Sequence, residues 1–188
     1  FQQGVTTFIA TATDLAGNTN TTTVNFTIDA NGPTISFISP LTGQDINKDF
    51  IINVSIQDSQ GVNAQSVFYK YENNTGSSAW IPMTNVSKDY WHALLSLSEL
   101  SETTYTLKVN ASDLTNANTV AVLTFEKDTT PPSFPPPSVS PSTTSTTISW
   151  TTTESANSSL NYGITLALGT IRTRNTATTH SFSLIDLA

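Results

Sequence analysis

TTYTLKVNASDLTNANTVAVLTFEKDTTPP, residues 103–132, decides the fold. Tyr105, Leu107, Val109 and Ala111 alternate with Thr106, Lys108 and Asn110, the period-two pattern of a strand with one face buried. Asp113 to Asn118 is turn chemistry, and Val120, Val122 and Phe125 carry a return strand. Asp128 and Pro132 then end the ladder, because proline donates no backbone hydrogen bond. The same design occurs upstream as TTFIATATDLAGNTNTTTVNFTIDANGP, residues 6–33. There Phe8, Ala10 and Ala12 lead into Asp14-Leu-Ala-Gly-Asn, followed by Val24, Phe26 and Ile28. At an offset of 99, Asp14 matches Asp113, Leu15 matches Leu114, Phe26 matches Phe125, Asp29 matches Asp128 and Pro33 matches Pro132. An offset of that size is one β-sandwich domain of about 100 residues.

The quoted residues, A-T-D-x-A-G-N, a Thr-rich strand and then D-x-x-x-P, resemble the last two strands of bacterial and archaeal Ig-like repeats. Such repeats fill adhesins, surface-layer proteins and surface fibres, so the resemblance implies architecture more than any one activity. It covers residues 1–132 in two copies, and the second copy departs from it where Asn116 replaces the turn glycine.

Between the copies, residues 33–128 hold a complete module. Ile35 and Phe37 mark strand A, Ile52, Val54 and Ile56 strand B, and Val67, Tyr69 and Tyr71 strand C. Trp80 to Met83 reads as a short edge strand broken by Pro82, and Trp91, Ala93, Leu95 and Leu97 as the next long strand. With the F and G strands this makes the seven of an Ig sandwich. No window carries a helical period, so the expected class is all-β, tandem Ig-like and fibronectin type III-like β-sandwiches.

PPSFPPPSVSP, residues 131–141, is an extended, semi-rigid linker leading into the first strand of a further module. TTISWTTTESANSSLNYG, residues 146–163, resembles strands B and C of fibronectin type III-like domains, with Ile148, Trp150, Leu160 and Tyr162 inward. His180, Phe182 and Leu184, followed by Leu187, read as strand E. Modules of that kind precede some metallophosphatases and occur in many secreted enzymes.

Residues 132–188 thus read as a module without its last two strands, and residues 1–29, with Phe1 already in a strand-like pattern, as two such strands alone. Together they make 86 residues, a normal length for one fibronectin-type module. The expectation is that residues 1–29 of one copy complete the 132–188 unit of a neighbouring copy, head to tail, by strand exchange between subunits or as a two-module period in a longer chain. Phe8, Val24, Phe26, Ile28, Trp150, Leu160 and Tyr162 would carry that self-assembly.

Composition fits a surface structural protein. The chain has 188 residues, 34 Thr and 23 Ser, against only 11% charged residues. Thr is β-branched and suits a pleated surface. A net charge of −7 leaves no basic stripe for nucleic acid. There are no cysteines, which excludes thiol catalysis and Cys-based metal sites. No apolar run approaches the roughly 18 residues of a membrane helix. His92 and His180 fit structural roles, and no nucleophile elbow, phosphate loop or carboxylate pair appears, so no enzyme is expected. Lys108 lies on the outward face of its strand, which disfavours an isopeptide crosslink.

Asp14, Asp29, Asp113 and Asp128 sit at turns and linkers, where calcium could gather oxygen ligands; turn capping explains them too. Glycosylation sequons fall at Asn20, Asn25, Asn53, Asn73, Asn85, Asn110 and Asn157, against about five expected by chance. A carbohydrate-binding or spacer module is the alternative reading. It would need an exposed aromatic platform, with Trp80 and Trp91 as candidates.

Overall fold

The chain is all-β. A computed structural model describes residues 3–163, 168 and 170–185, in two units, Phe1–Thr129 and Thr130–Ala188. Phe1 and Leu187, both read above as belonging to strands, lie outside the described residues.

The first unit opens with β1 (Gly4–Thr13) and β2 (Thr19–Ile28), an antiparallel pair in unbroken register from Gly4↔Ile28 to Thr13↔Thr19. The module follows as β3 (Thr34–Ser39), β4 (Gln44–Ile46), β5 (Phe50–Gln57), β6 (Phe68–Asn73), β7 (Gly76–Ser77), β8 (Ile81–Pro82), β9 (Thr84–Ser87), β10 (Tyr90–Leu95), β11 (Thr103–Ser112) and β12 (Asn118–Lys127). One sheet has the order β3-β5-β10-β9. The other has the order β4-β12-β11-β6-β7, with β8 also on β6. Their inner faces share one core. Ile52, Val54, Ile56, Trp91 and Leu95 come from the first sheet, and Tyr69, Tyr105, Leu107, Val109, Leu123 and Phe125 from the second. Phe125 stacks on Tyr105 with ring centres 5.5 Å apart and meets the edge of Phe50 at 5.4 Å.

The alternation read from the sequence is the one that is buried: along β11 every odd residue from Tyr105 to Ala111 is in the core. The strand list needs additions. Strand A is followed by a separate short strand, β4, which runs parallel to β12, and β7 and β9 add further short pieces. Of the Trp80–Met83 stretch, Ile81 and Pro82 form the strand on β6, and the Met83 N–H donates to Val67 O beside it. These pieces span two to four residues, too short for a period-two pattern to announce them.

The β1–β2 and β11–β12 hairpins are built alike. Their registers coincide at the offset of 99: Thr6↔Phe26 corresponds to Tyr105↔Phe125. In each turn the aspartate N–H donates to a carbonyl four residues on, Asn18 or Ala117. In each, the aspartate side chain accepts the backbone N–H groups two and four residues on, at 2.8–2.9 Å. Gly17 has φ +87° and Asn116, its equivalent, φ +70°. Asparagine tolerates the left-handed region better than most residues, so the lost glycine does not change the turn.

The second unit is a three-stranded antiparallel sheet, β13 (Ser138–Pro141), β14 (Thr146–Tyr162) and β15 (Thr170–Leu184), in that order. The expected separation of strands B and C is replaced by one strand, β14, whose pairing with β15 shifts register between Thr151 and Ser158. The Arg174 guanidinium lies 5.6 Å from the Phe182 ring centre. Eight residues of flat strand would span about 26 Å. The β14–β15 ribbon must therefore bend back on itself, and the register shifts supply the bend. Trp150 stacks on Phe182 with ring centres 5.4 Å apart, and His180, Phe182 and Leu184 are buried.

Candidate functional site

The alternation of β1 and β2 puts Phe8, Ala10 and Ala12 on one face with Val24, Phe26 and Ile28. Phe8 and Phe26 stack at 5.3 Å. The opposite face is largely hydroxyl and amide: Thr7 donates to Asn25 at 2.7 Å, and Thr11 and Thr21 meet at 3.3 Å. In the complete module the equivalents of Phe8, Val24 and Phe26 are Leu107, Leu123 and Phe125, exposed by 0%, 4% and 0%. In the hairpin the same positions are exposed by 54%, 58% and 37%. One face, built twice, is covered once. Of the other residues expected to join in assembly, Ile28, Trp150, Leu160 and Tyr162 are all half-buried.

Asp29 and Asp113 do come together, and Asp58 joins them; one carboxylate oxygen from each lies within 4.8 Å of the others. Asp113 is wholly buried, accepting the N–H groups of Thr115 and Ala117 and the Thr115 hydroxyl. Asp29 accepts Ser59 Oγ at 3.0 Å and the Asn31 N–H at 3.1 Å. Asp58 accepts the Gln60 N–H at 2.7 Å. Such oxygens suit a hard cation, as calcium takes 6–8 of them. Asp14 and Asp128 are not in this group. Asp14 caps the hairpin tip, where the Asn18 amide and then the neighbouring backbone N–H groups hold its carboxyl below the usual range. Asp128 follows β12, its N–H donating to Ile46 O. Asp58 was missed by sequence reasoning. Its only signal is the Asp-Ser-Gln-Gly turn after strand B, at the end of the sandwich where the F–G turn also lies.

Four sequon asparagines are exposed: Asn20, Asn25, Asn85 and Asn157. Asn53, Asn73 and Asn110 are half-buried. Asn110 donates to Ser66 O, and Asn73 Oδ1 caps its own turn through Thr75 and Gly76. Trp91 is in the core, so it offers no platform, whereas Trp80 is 43% exposed with the Lys70 ammonium 5.4 Å from its ring centre. His180 is buried, its Nε2 3.1 Å from Thr152 Oγ1, and His92 is half-buried.

Lys108 and Lys70 both pair with Glu72. Hydrogen bonds from Lys108 first and then Lys70 hold the Glu72 carboxyl below its usual range, and the Thr129 hydroxyl does the same for Glu102. A depressed folded-state pKa contributes stability above the unfolded value, near 4.3, that is lost as pH falls through the folded one. Stability should therefore fall below about pH 4.3, and Glu72→Gln should flatten the fall slightly, since exposed pairs contribute little. Thermal melts from pH 6 to 2.5 check this; an unchanged slope in the variant would refute the role of Glu72.

Residues 33–109 match the bacterial Ig domain family. No curated protein matches the chain. Among solved structures it is similar to a tetra-tandem repeat in the extending region of a large adhesion protein. That match has 20% identity over 98% of this chain and 48% of that one, with TM-score 0.43. It is also similar to an endo-β-1,4-mannanase from Thermotoga petrophila, with 13% identity over 54% and 21% and TM-score 0.45. A third is dimeric latent PorU from Porphyromonas gingivalis, with 14% identity over 94% and 20% and TM-score 0.42. The chain spans about a fifth to a half of the length of these structures, and likenesses this distant carry no argument. The family match and the sandwich at the same residues do: residues 33–109 match the bacterial Ig domain family and lie in a two-sheet β-sandwich.

Proposed function

We propose that the chain is an extracellular, non-catalytic structural protein of a cell-surface filament or stalk, in which β1–β2 of one copy completes the 132–188 unit of the next. The observation that carries this is the apolar face of β1–β2, uncovered here and covered in its repeat at β11–β12. Full burial of a side chain such as Phe8 or Val24 contributes about 1.5–3 kcal/mol, and part of that is already realised within the hairpin. The face alone therefore yields only a few kcal/mol, about the lowest cost of association. A backbone ladder must supply the rest, which favours strand addition over docking of two flat faces. Such a head-to-tail contact does not close on itself and propagates into a filament. Light scattering after size exclusion, with electron microscopy of the purified chain, tests it. Concentration-dependent polymers are expected; a monomer at every concentration would overturn the reading.

Calcium at Asp29, Asp58 and Asp113 would stiffen the junction between the hairpin and the module. Added calcium should raise the melting temperature, and the Asp29→Asn, Asp58→Asn variant should abolish that rise. A calorimetric titration without heat or melting shift would dismiss calcium. The exposed sequons would carry glycan, which intact mass of native material checks. The second reading, a carbohydrate-binding or spacer module of a secreted hydrolase or adhesin, is favoured by Trp80 alone; glycan-array binding lost in Trp80→Ala would support it.

A further inference from the structure

We infer that the joint between copies is made by β1 adding antiparallel to the free edge of β14, with Phe8 opposite Tyr162, Ala10 opposite Leu160 and Ala12 opposite Ser158. This rests on the filament reading and gives it a register. Within the described residues, β13 covers one edge of β14 at Thr146–Ser149, the Thr153 N–H donates to Ser133 O, and no strand pairs with that edge at Ser158–Tyr162. The other edge of β14 is occupied by β15 as far as Tyr162.

The complete module shows what such an edge accepts. There β6 holds β7 and β8 on one side and β11 on the other, with Leu107 opposite Tyr71 and Val109 opposite Tyr69. β6 and β14 correspond in two respects. Each carries inward residues two apart that end on a tyrosine, Tyr69 and Tyr71 in one, Leu160 and Tyr162 in the other. Each also turns shortly afterwards into the strand on its far side. Phe8 and Ala10 are the repeat equivalents of Leu107 and Val109.

Parity restricts the alternatives. On β14 the even residues from Thr152 to Tyr162 are half-buried and the odd ones exposed. On β1 the apolar face is also the even one. A slip by one residue would turn that face to water, so only shifts of two compete. The tyrosine correspondence selects among those shifts. The same register sets Ile9 opposite Asn161 on the outer face, where the module has Lys108 opposite Lys70.

The chain has no cysteine, so introduced thiols report without background. Ile9→Cys and Asn161→Cys are made in separate full-length chains, both at exposed positions, then mixed and oxidised. A disulfide between positions 9 and 161 can then form only between copies, and mass distinguishes it from homodimers. Directly opposite residues have Cβ atoms about 4.5–5.5 Å apart and residues slipped by two about 7–8 Å, against about 3.5–4.5 Å in a disulfide. The expected result is a dominant 9–161 heterodimer that is lost when Ser159→Cys or Gly163→Cys replaces Asn161→Cys. Polymers without the 9–161 product, or with 9–159 or 9–163 preferred, overturn the register and leave the filament reading standing. Absence of polymers in the unmodified chain overturns both.

Discussion

Phe125→Ala should cost about 3–5 kcal/mol, the range for truncating a buried phenylalanine, and lower the module's melting temperature by well over 10 °C. Phe125 is wholly buried, stacked on Tyr105 and edge-on to Phe50. Its removal leaves a cavity between two rings held on separate strands, which cannot close without moving β5 or β11. Phe26 is the same residue in the earlier copy, at the same register on an identical hairpin. In the unassembled chain it is 37% exposed and loses only its stacking on Phe8, so Phe26→Ala should cost about 0.5–1.5 kcal/mol, well below the loss at Phe125. Calorimetry on dilute chains compares the two. Equal losses would mean that the hairpin face is already covered, and the asymmetry on which the functional reading stands would be gone.

The hairpins were legible in the sequence because repetition shows each position twice. Asp14 and Asp113, and Phe26 and Phe125, agree from the sequence alone, whereas Asn116 read as a departure from Gly17 until the structure gave both a positive φ. The long strands of the module were legible because one face is apolar and the other polar. The β4, β7 and β9 pieces were not, since two to four residues carry no period and their pairing is fixed by the strand they meet. The continuity of β14 was hidden for a different reason. Ile148, Trp150, Leu160 and Tyr162 share one parity, but the residues between Trp150 and Leu160 are polar at both parities apart from Ala156, so the sequence reads the same for a bent strand and for two separate strands.

The acidic group shows the limit on the side of the site. Turn chemistry identifies Asp14 and Asp113 equally well, and both cap their turns in the same way. What separates them is the company brought by the fold: Asp113 faces the loop after strand B and the exit from β2, so Asp58 and Asp29 arrive beside it, whereas Asp14 stands at the tip of a hairpin. Convergence of loops at one end of a sandwich is a property of topology that no local window contains.

Phe8→Lys should abolish assembly while leaving the module's own melting unchanged. In the proposed joint Phe8 lies opposite Tyr162, on the inward side of the added strand. A lysine there would lose the burial of the ring and carry an ammonium into an apolar layer without a partner, a cost of several kcal/mol. At 1.4 kcal/mol per factor of ten, the concentration needed for polymers should rise at least 100-fold. Ile9→Lys is the control that makes the result specific. It adds the same charge one residue away, and the module already carries Lys108 at the equivalent place, on the outer face beside Glu72. Polymers should therefore survive Ile9→Lys. Light scattering across a dilution series reads both variants. If both abolish assembly, charge on the hairpin is the cause; if neither does, the apolar face of β1 is not what joins one copy to the next.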